Sequence, residues 1–359
     1  MVNSPTGVHH PAPPCLVIAE AGVNHNGRLD LALRLVDAAA DAGADIVKFQ
    51  TFKAERLVTL HARKAAYQEE QTGTGDQFSM LEALELSDEA HYKLLAHCRS
   101  RGIEFCSTAF DELSLCFLVE LGIRRIKIPS GELTNAPFIR AMASYGLPMI
   151  VSTGMATLNE IEDALGWIEG ERRNIGAIAP LSDLITLLHC TSNYPTPIHD
   201  VNLRAMQTLA ERFCLPVGYS DHTAGIFIAP IARALGATVF EKHFTLDRSL
   251  PGPDHVASLE PDELALMVRA IRDTDIVLGS AEKVPSTPEW DVRIAARRSV
   301  TLARDVFADV PLTRADLVLM RPGNGIAPSE IDLVIGRRLK RNMCEGDTLS
   351  WKDLVECVG

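Results

Sequence analysis

Phe240 to His255 reads FEKHFTLDRSLPGPDH, and its first residues continue the apolar run GATVF. Glu241, Lys242 and His243 therefore stand where a buried strand ends. Ionisable groups are costly there unless they are hydrogen-bonded, paired or used. Strand side chains alternate between faces, so Glu241 and His243 share one face while Lys242 takes the other, as a rim residue or half of an ion pair. A carboxylate and an imidazole on one face suit two kinds of chemistry. One is proton transfer; the other is metal ligation by the imidazole with the carboxylate in support.

The same reading extends to the ends of other apolar runs. They deliver Glu20; Lys48 and Gln50; Thr108; Lys127, Ser130 and Glu132; Ser152; His189 and Ser192; Ser220 and His222. Lys48, Lys127 and the hydroxyls of Thr108, Ser130 and Ser152 make a set suited to a phosphate and a carboxylate. His222 and His243 would offer two imidazoles to one divalent ion, with open positions left for a substrate oxygen, or would serve as a general base. The residues alone leave both roles open. Glu20, Glu132 and Glu241 are candidates for moving a proton or orienting ligands. Cys190, in the apolar run LLHC, reads as a buried structural thiol rather than a nucleophile.

Something must bring these ends together. Strand-like runs at CLVIAE, DIVKFQ, IEFCST, RIKIPS, PMIVST, LITLLHC, PVGYS and TVFEKH alternate with amphipathic stretches such as DLALRLVDAAADAG and PDELALMVRAIRDTDIVLG. Eight such units predict an α/β fold, a (β/α)₈ barrel, whose strand ends converge on one face. No GxGxxG turn or P-loop is present. The polar, glycine-punctuated segment 51–86 is an insertion that either forms a lid or merely decorates the barrel. Residues 1–14, with His9 and His10 among prolines, read as a disordered lead-in, and 15–280 as the barrel. The Ser-, Pro- and charge-rich segment 281–295 reads as a linker, and 296–359 as a small β-rich module.

Composition sets outer limits. Net charge of −12 argues against a nucleic-acid surface. Hydrophobic residues at 47% suffice for a large core. No apolar run is long enough to span a membrane, and no signal peptide opens the chain. The eight cysteines form no CxxC pair and suit reduced thiols in the cytoplasm.

The motifs AEAGVNHNG, VKFQTFKAERL, KIPSGEL, STGMAT, HCTSNYPTP, GYSDHT, EKHFTLD, GPDH and RPGNGI, from about residue 15 to the C-terminus, resemble in order those of the bacterial sialic acid synthase family. The resemblance implies a barrel followed by an antifreeze-like (SAF) domain in a domain-swapped homodimer. It also implies condensation of phosphoenolpyruvate with N-acetylmannosamine and water, aided by Mn²⁺, with Mg²⁺ or Co²⁺ as substitutes. The near alternative is a legionaminate synthase using 2,4-diacetamido-2,4,6-trideoxymannose; a distant one is a non-catalytic carbohydrate binder. Carried over by motif, His222 and His243 match metal ligands. Lys48, Thr108, Lys127, Ser130, Ser152 and Ser220 match phosphoenolpyruvate contacts, joined by Ser192 where some members have asparagine. Glu20, Gln50, Tyr194 and Asp254 match positions facing the sugar, and Arg321 an arginine that reaches a neighbour's site. Glu132 matches the carboxylate beside the reacting carbons; with Glu20 and Glu241 it completes the implied catalytic carboxylates.

Overall fold

The structure, a computed structural model, describes residues 14–177 and 179–355. The expected lead-in over 1–14, with His9 and His10, lies outside them but for Pro14. Eight strands form one parallel sheet: β1 (Leu16–Gly22), β2 (Ile46–Thr51), β3 (Glu104–Ala109), β4 (Ile126–Ile128), β5 (Met149–Ser152), β6 (Ile185–Cys190), β7 (Val217–Asp221) and β8 (Val239–His243). Their order is β3-β2-β1-β8-β7-β6-β5-β4, and β3 and β4 come together to close the ring. This is the expected (β/α)₈ barrel.

Local signals set the helices. The helix Asp88–Arg101 starts where Ser87 accepts a hydrogen bond from the Ala90 amide and stops at Gly102, whose φ of 70° is left-handed. Leu158–Asn174 opens on a capping box between Thr157 and Glu160.

Alternation along the strands places the chemistry. Val17, Val47, Phe105, Val151, Leu187 and Phe240 point outward into the large core shared with the helices. Ile18, Ile46, Cys106, Ile150, Leu188 and Val239 point inward and form a separate apolar cluster at the barrel's base. Two residues further along, the inward positions become Glu20, Lys48, Thr108, Ser152, Cys190 and Glu241. The lumen thus changes from apolar to ionisable within one layer of side chains. At Gly218 the lumen has no room for a side chain: a Cβ there would come 2.2 Å from the Val239 carbonyl oxygen.

The 51–86 insertion folds into short helices at Ala54–Leu57, Ala66–Thr72 and Gln77–Glu82. Phe52 and Leu84 pack with Val23, Leu57, Met80, Leu81 and Phe110, a small core at the strands' C-terminal side. Lys53 pins the insertion's far end through Glu85 at 2.8 Å.

A second compact unit begins at Ser280. Its strands β9 (Ser299–Leu302) and β10 (Leu317–Met320) pair antiparallel, over a core including Val300, Leu302, Leu317, Val334 and Leu349. The segment 281–295, read from sequence as a linker, carries most of a helix, Thr287–Ala296. The Ser286–Glu289 capping box that starts it was present in the letters STPE. Among the described residues no helix is long and apolar enough to cross a membrane.

Candidate active site

The inward residues enclose a cavity of about 340 Å³ at the C-terminal ends of the barrel strands. Its lining includes Glu20, Lys48, Gln50, Thr108, Lys127, Ser130, Ser152, Ser192, Tyr194, Ser220, His222, Glu241 and His243. A cavity of about 380 Å³ over the outer helices, beside Arg34, Asp37 and Asp41, has no buried ionisable group and offers no comparable chemistry.

The floor is a buried charge network. Lys48 Nζ lies 2.8 Å from Glu20 Oε2 and 3.8 Å from Glu241 Oε2, and donates to Thr108 Oγ1 at 3.2 Å. Lys127 Nζ donates to Ser152 Oγ at 2.5 Å and lies 3.8 Å from Glu241 Oε1, which also accepts from Ser220 Oγ at 3.0 Å. Burial raises Glu241's pKa, but Lys127 and Lys48 outweigh it and hold the carboxyl down at about 2. For Glu20 the balance falls the other way. Burial, with Glu241 adding to it, outweighs Lys48 and lifts its pKa to about 7. Burial works against the charge on Lys48, yet Glu20 and Glu241 more than restore it, while Lys127 is pulled down, mainly by burial. With Glu20 protonated, two ammonium groups face one carboxylate, so the floor is net positive and suited to an anion.

Above the floor stand the imidazoles. Their ring centroids are 5.7 Å apart. His222 Nδ1 donates to the Thr191 carbonyl at 2.6 Å, which makes Nε2, 3.5 Å from Ser220 Oγ, the nitrogen with the lone pair. Burial holds His222 below its usual pKa and His243 well below it, with His222 and Lys48 adding to the effect on His243, so both rings are neutral. His243 Nδ1 is buried without a hydrogen bond, with Asp254 Oδ2 at 3.9 Å. The Tyr194 ring lies tilted by 33° against His222 with centroids 4.1 Å apart, and meets His243 edge-on at 5.8 Å. Two neutral nitrogen donors, one with an orphaned ring nitrogen, fit a divalent ion that keeps other positions open. Among the described residues no cluster of three or more side chains could hold a metal, so such a site is a two-imidazole one.

Other sequence candidates fall elsewhere. Asp254 is buried, and burial lifts its carboxyl to about 6. Glu132 is half-buried outside the lining, its Oε2 accepting from Asn135 Nδ2 at 2.7 Å. Arg321 is exposed in the second unit. His189 Nε2 bonds the Val201 carbonyl, and burial raises the Cys190 thiol above its usual pKa. The sequence reading missed Phe110, Pro129, Gly131 and Met155, which line the cavity's mouth. Phe110 follows Thr108 at period two, so its place was legible. Met155 was not: it takes a left-handed φ of 64° and is 74% exposed, which nothing in STGMAT announces.

Comparison with known proteins adds family evidence. Residues 35–283 match the NeuB family and 297–355 the SAF domain. An N,N'-diacetyllegionaminic acid synthase of Legionella pneumophila is 53% identical over 95% of this chain and 94% of its own. The human N-acetylneuraminate-9-phosphate synthase is 33% identical over 96% of this chain and 94% of its own. A crystal structure of N-acetylneuraminic acid (sialic acid) synthetase from Leptospira borgpetersenii, in complex with citrate, superposes with a TM-score of 0.66. It is 36% identical and covers 78% of this chain and 90% of that one.

Proposed function

The chain belongs to the NeuB family, and from that membership we propose that it condenses phosphoenolpyruvate with an N-acetylated amino-sugar aldehyde and water, releasing phosphate and a nine-carbon sugar acid. The observation that carries the proposal is the buried pair Lys48 and Lys127 beneath two neutral imidazoles in one cavity.

The chain's own residues divide the work. Lys48 and Lys127, with the hydroxyls of Thr108, Ser130, Ser152, Ser192 and Ser220, neutralise and orient the carboxylate and phosphate of phosphoenolpyruvate. Gln50, Tyr194 and Asp254 take the sugar. Glu20, poised near neutrality, donates a proton to the new alkoxide or bonds a sugar hydroxyl as a neutral acid. His222 and His243 would hold a divalent ion, most simply Mn²⁺, which when bound supplies Lewis-acid polarisation of the aldehyde oxygen. C3 of phosphoenolpyruvate bonds to that aldehyde carbon, and positive charge grows at C2. Glu132, which the family resemblance assigns to this charge, lies outside the lining and would have to turn from Asn135 to face it. Water then adds at C2, the C–O bond to phosphate breaks, and the keto acid remains. Glu241, held ionised between the lysines, fixes the floor's geometry. In the proposed assembly two chains pair, and Arg321 of each SAF domain serves the other's barrel. Phosphoenolpyruvate is a cytosolic metabolite, so the reaction belongs in the cytoplasm.

On the sugar, the order of preference from sequence is reversed: we place 2,4-diacetamido-2,4,6-trideoxymannose ahead of N-acetylmannosamine. The 53% identity to a legionaminic acid synthase, against 33% to the human enzyme, supports this. So does the mouth, where Phe110, Pro129, Met155 and Tyr194 offer apolar surface to a 6-methyl and a second acetamido group. Phosphate release with phosphoenolpyruvate, Mn²⁺ and each sugar tests the reading. Expected is a kcat/KM at least about 10-fold higher for the diacetamido sugar. A preference for N-acetylmannosamine restores the other order, and no release with any amino sugar removes the synthase reading.

A further inference from the structure

We propose that Lys242 and Asp221, on the outer face of the barrel wall, are positioning residues that fix the spacing of the two imidazoles inside it; the inference rests on the metal reading above. β7 and β8 run side by side with Ser220 level with Glu241 and Asp221 level with Lys242. Alternation sends Ser220, His222, Glu241 and His243 into the lumen and the intervening pair behind the wall. There Lys242 Nζ donates to Asp221 Oδ2 at 2.7 Å and to the Thr223 carbonyl. Asp221 Oδ1 accepts from the Thr223 amide at 2.9 Å. One ammonium therefore grips the residues on both sides of His222, and His243 is the next residue after that lysine.

Neither member of the pair is hydrogen-bonded to an imidazole, so the effect travels through the main chain. The ring of His222 has its own anchor in the Thr191 carbonyl, but His243 Nδ1 has none. The placement of His243 thus depends on the strand that carries it. Both paired side chains are 0% exposed. A buried pair returns in attraction about what its desolvation costs, so general stability does not account for it. Geometry does, because a pair with three fixed contacts holds two strand ends in one register.

The test uses the full chain, stripped of metal, with Mn²⁺ binding followed by the electron paramagnetic resonance of the free ion. Asp221→Asn/Lys242→Met removes both charges together, keeps an acceptor for the Thr223 amide and preserves the lysine's apolar stem. The double variant should melt cooperatively and bind phosphoenolpyruvate without metal within about twofold of wild type. Its Mn²⁺ affinity should fall about 10–100-fold, the loss expected for groups that orient metal ligands from behind. Should it fail to fold, Asp221→Asn alone keeps the turn contact and removes the lysine's anionic partner; its Mn²⁺ affinity should fall toward the same range of about 10-fold. Unchanged Mn²⁺ affinity in a folded variant overturns the clamp and leaves the metal reading intact. Absence of Mn²⁺ binding by the wild type removes the metal reading and the clamp with it.

Discussion

Glu20 and Lys48 meet at 2.8 Å in the centre of the barrel, with side chains 2% and 5% exposed. Burial nevertheless outweighs the pull of Lys48 on the Glu20 carboxyl. Glu241 takes both lysines' attraction and stays charged, while Glu20, second in line, is pushed up to about 7 by burial.

That division has a sign in stability. A carboxyl whose folded pKa lies above its unfolded value of 4.5 binds more protons when folded, so its contribution falls as pH rises from about 4.5 to about 7. Thermal melts of the metal-free, substrate-free protein and of Glu20→Gln should therefore diverge with pH. Wild type should lose Tm relative to the variant between pH 5 and pH 8. The opposite slope would mean that Lys48 keeps Glu20 ionised throughout.

Gly154 backs the hydroxyls of Ser130 and Ser192, which the proposed function gives to phosphoenolpyruvate. Its amide donates to Ser130 Oγ at 3.0 Å, and an added Cβ would come 2.5 Å from Ser192 Oγ and 2.8 Å from Ser130 Oγ. Gly154→Ala should displace both hydroxyls. Expected is a rise of about 10-fold or more in the KM for phosphoenolpyruvate, with a Tm change of only a few degrees. An unchanged KM would take Ser130 and Ser192 out of the binding set.

Metal removal tests the imidazoles. Exhaustive treatment with EDTA should abolish phosphate release, and Mn²⁺ should restore it, because two neutral imidazoles bind such ions only moderately. Full turnover by chelated protein would return His222 and His243 to a proton-transfer role.

Glu132 and Arg321 lie outside the cavity lining, and one experiment addresses both. Glu132→Gln should remove most turnover while phosphoenolpyruvate still binds, since Lys127 and Ser130 remain. Mixing Glu132→Gln chains with Arg321→Ala chains, with subunit exchange confirmed, should restore roughly a quarter of wild-type activity if each site draws its arginine from the partner. If exchange restores nothing, the shared site is refuted.

Much of this molecule is local and was legible. Strand type follows from runs such as LVIAE and TVFEK, and helix limits from caps such as Ser87 and Gly102. The inward set Glu20, Lys48, Thr108, Ser152, Ser220 and Glu241 follows from alternation once the parallel barrel is granted. The helix hidden at Thr287–Ala296 was legible too, in its capping box. What the sequence could not decide is how the charges share their protons. Glu20 and Glu241 have the same side chain at equivalent strand positions, but one sits between two lysines and the other beside one, and burial settles the difference. Nor could it place Glu132 against Asn135, or give Met155 its left-handed turn. These depend on distances between elements far apart in the chain, and a carboxyl's pKa or a loop's dihedral is set by what closes around it.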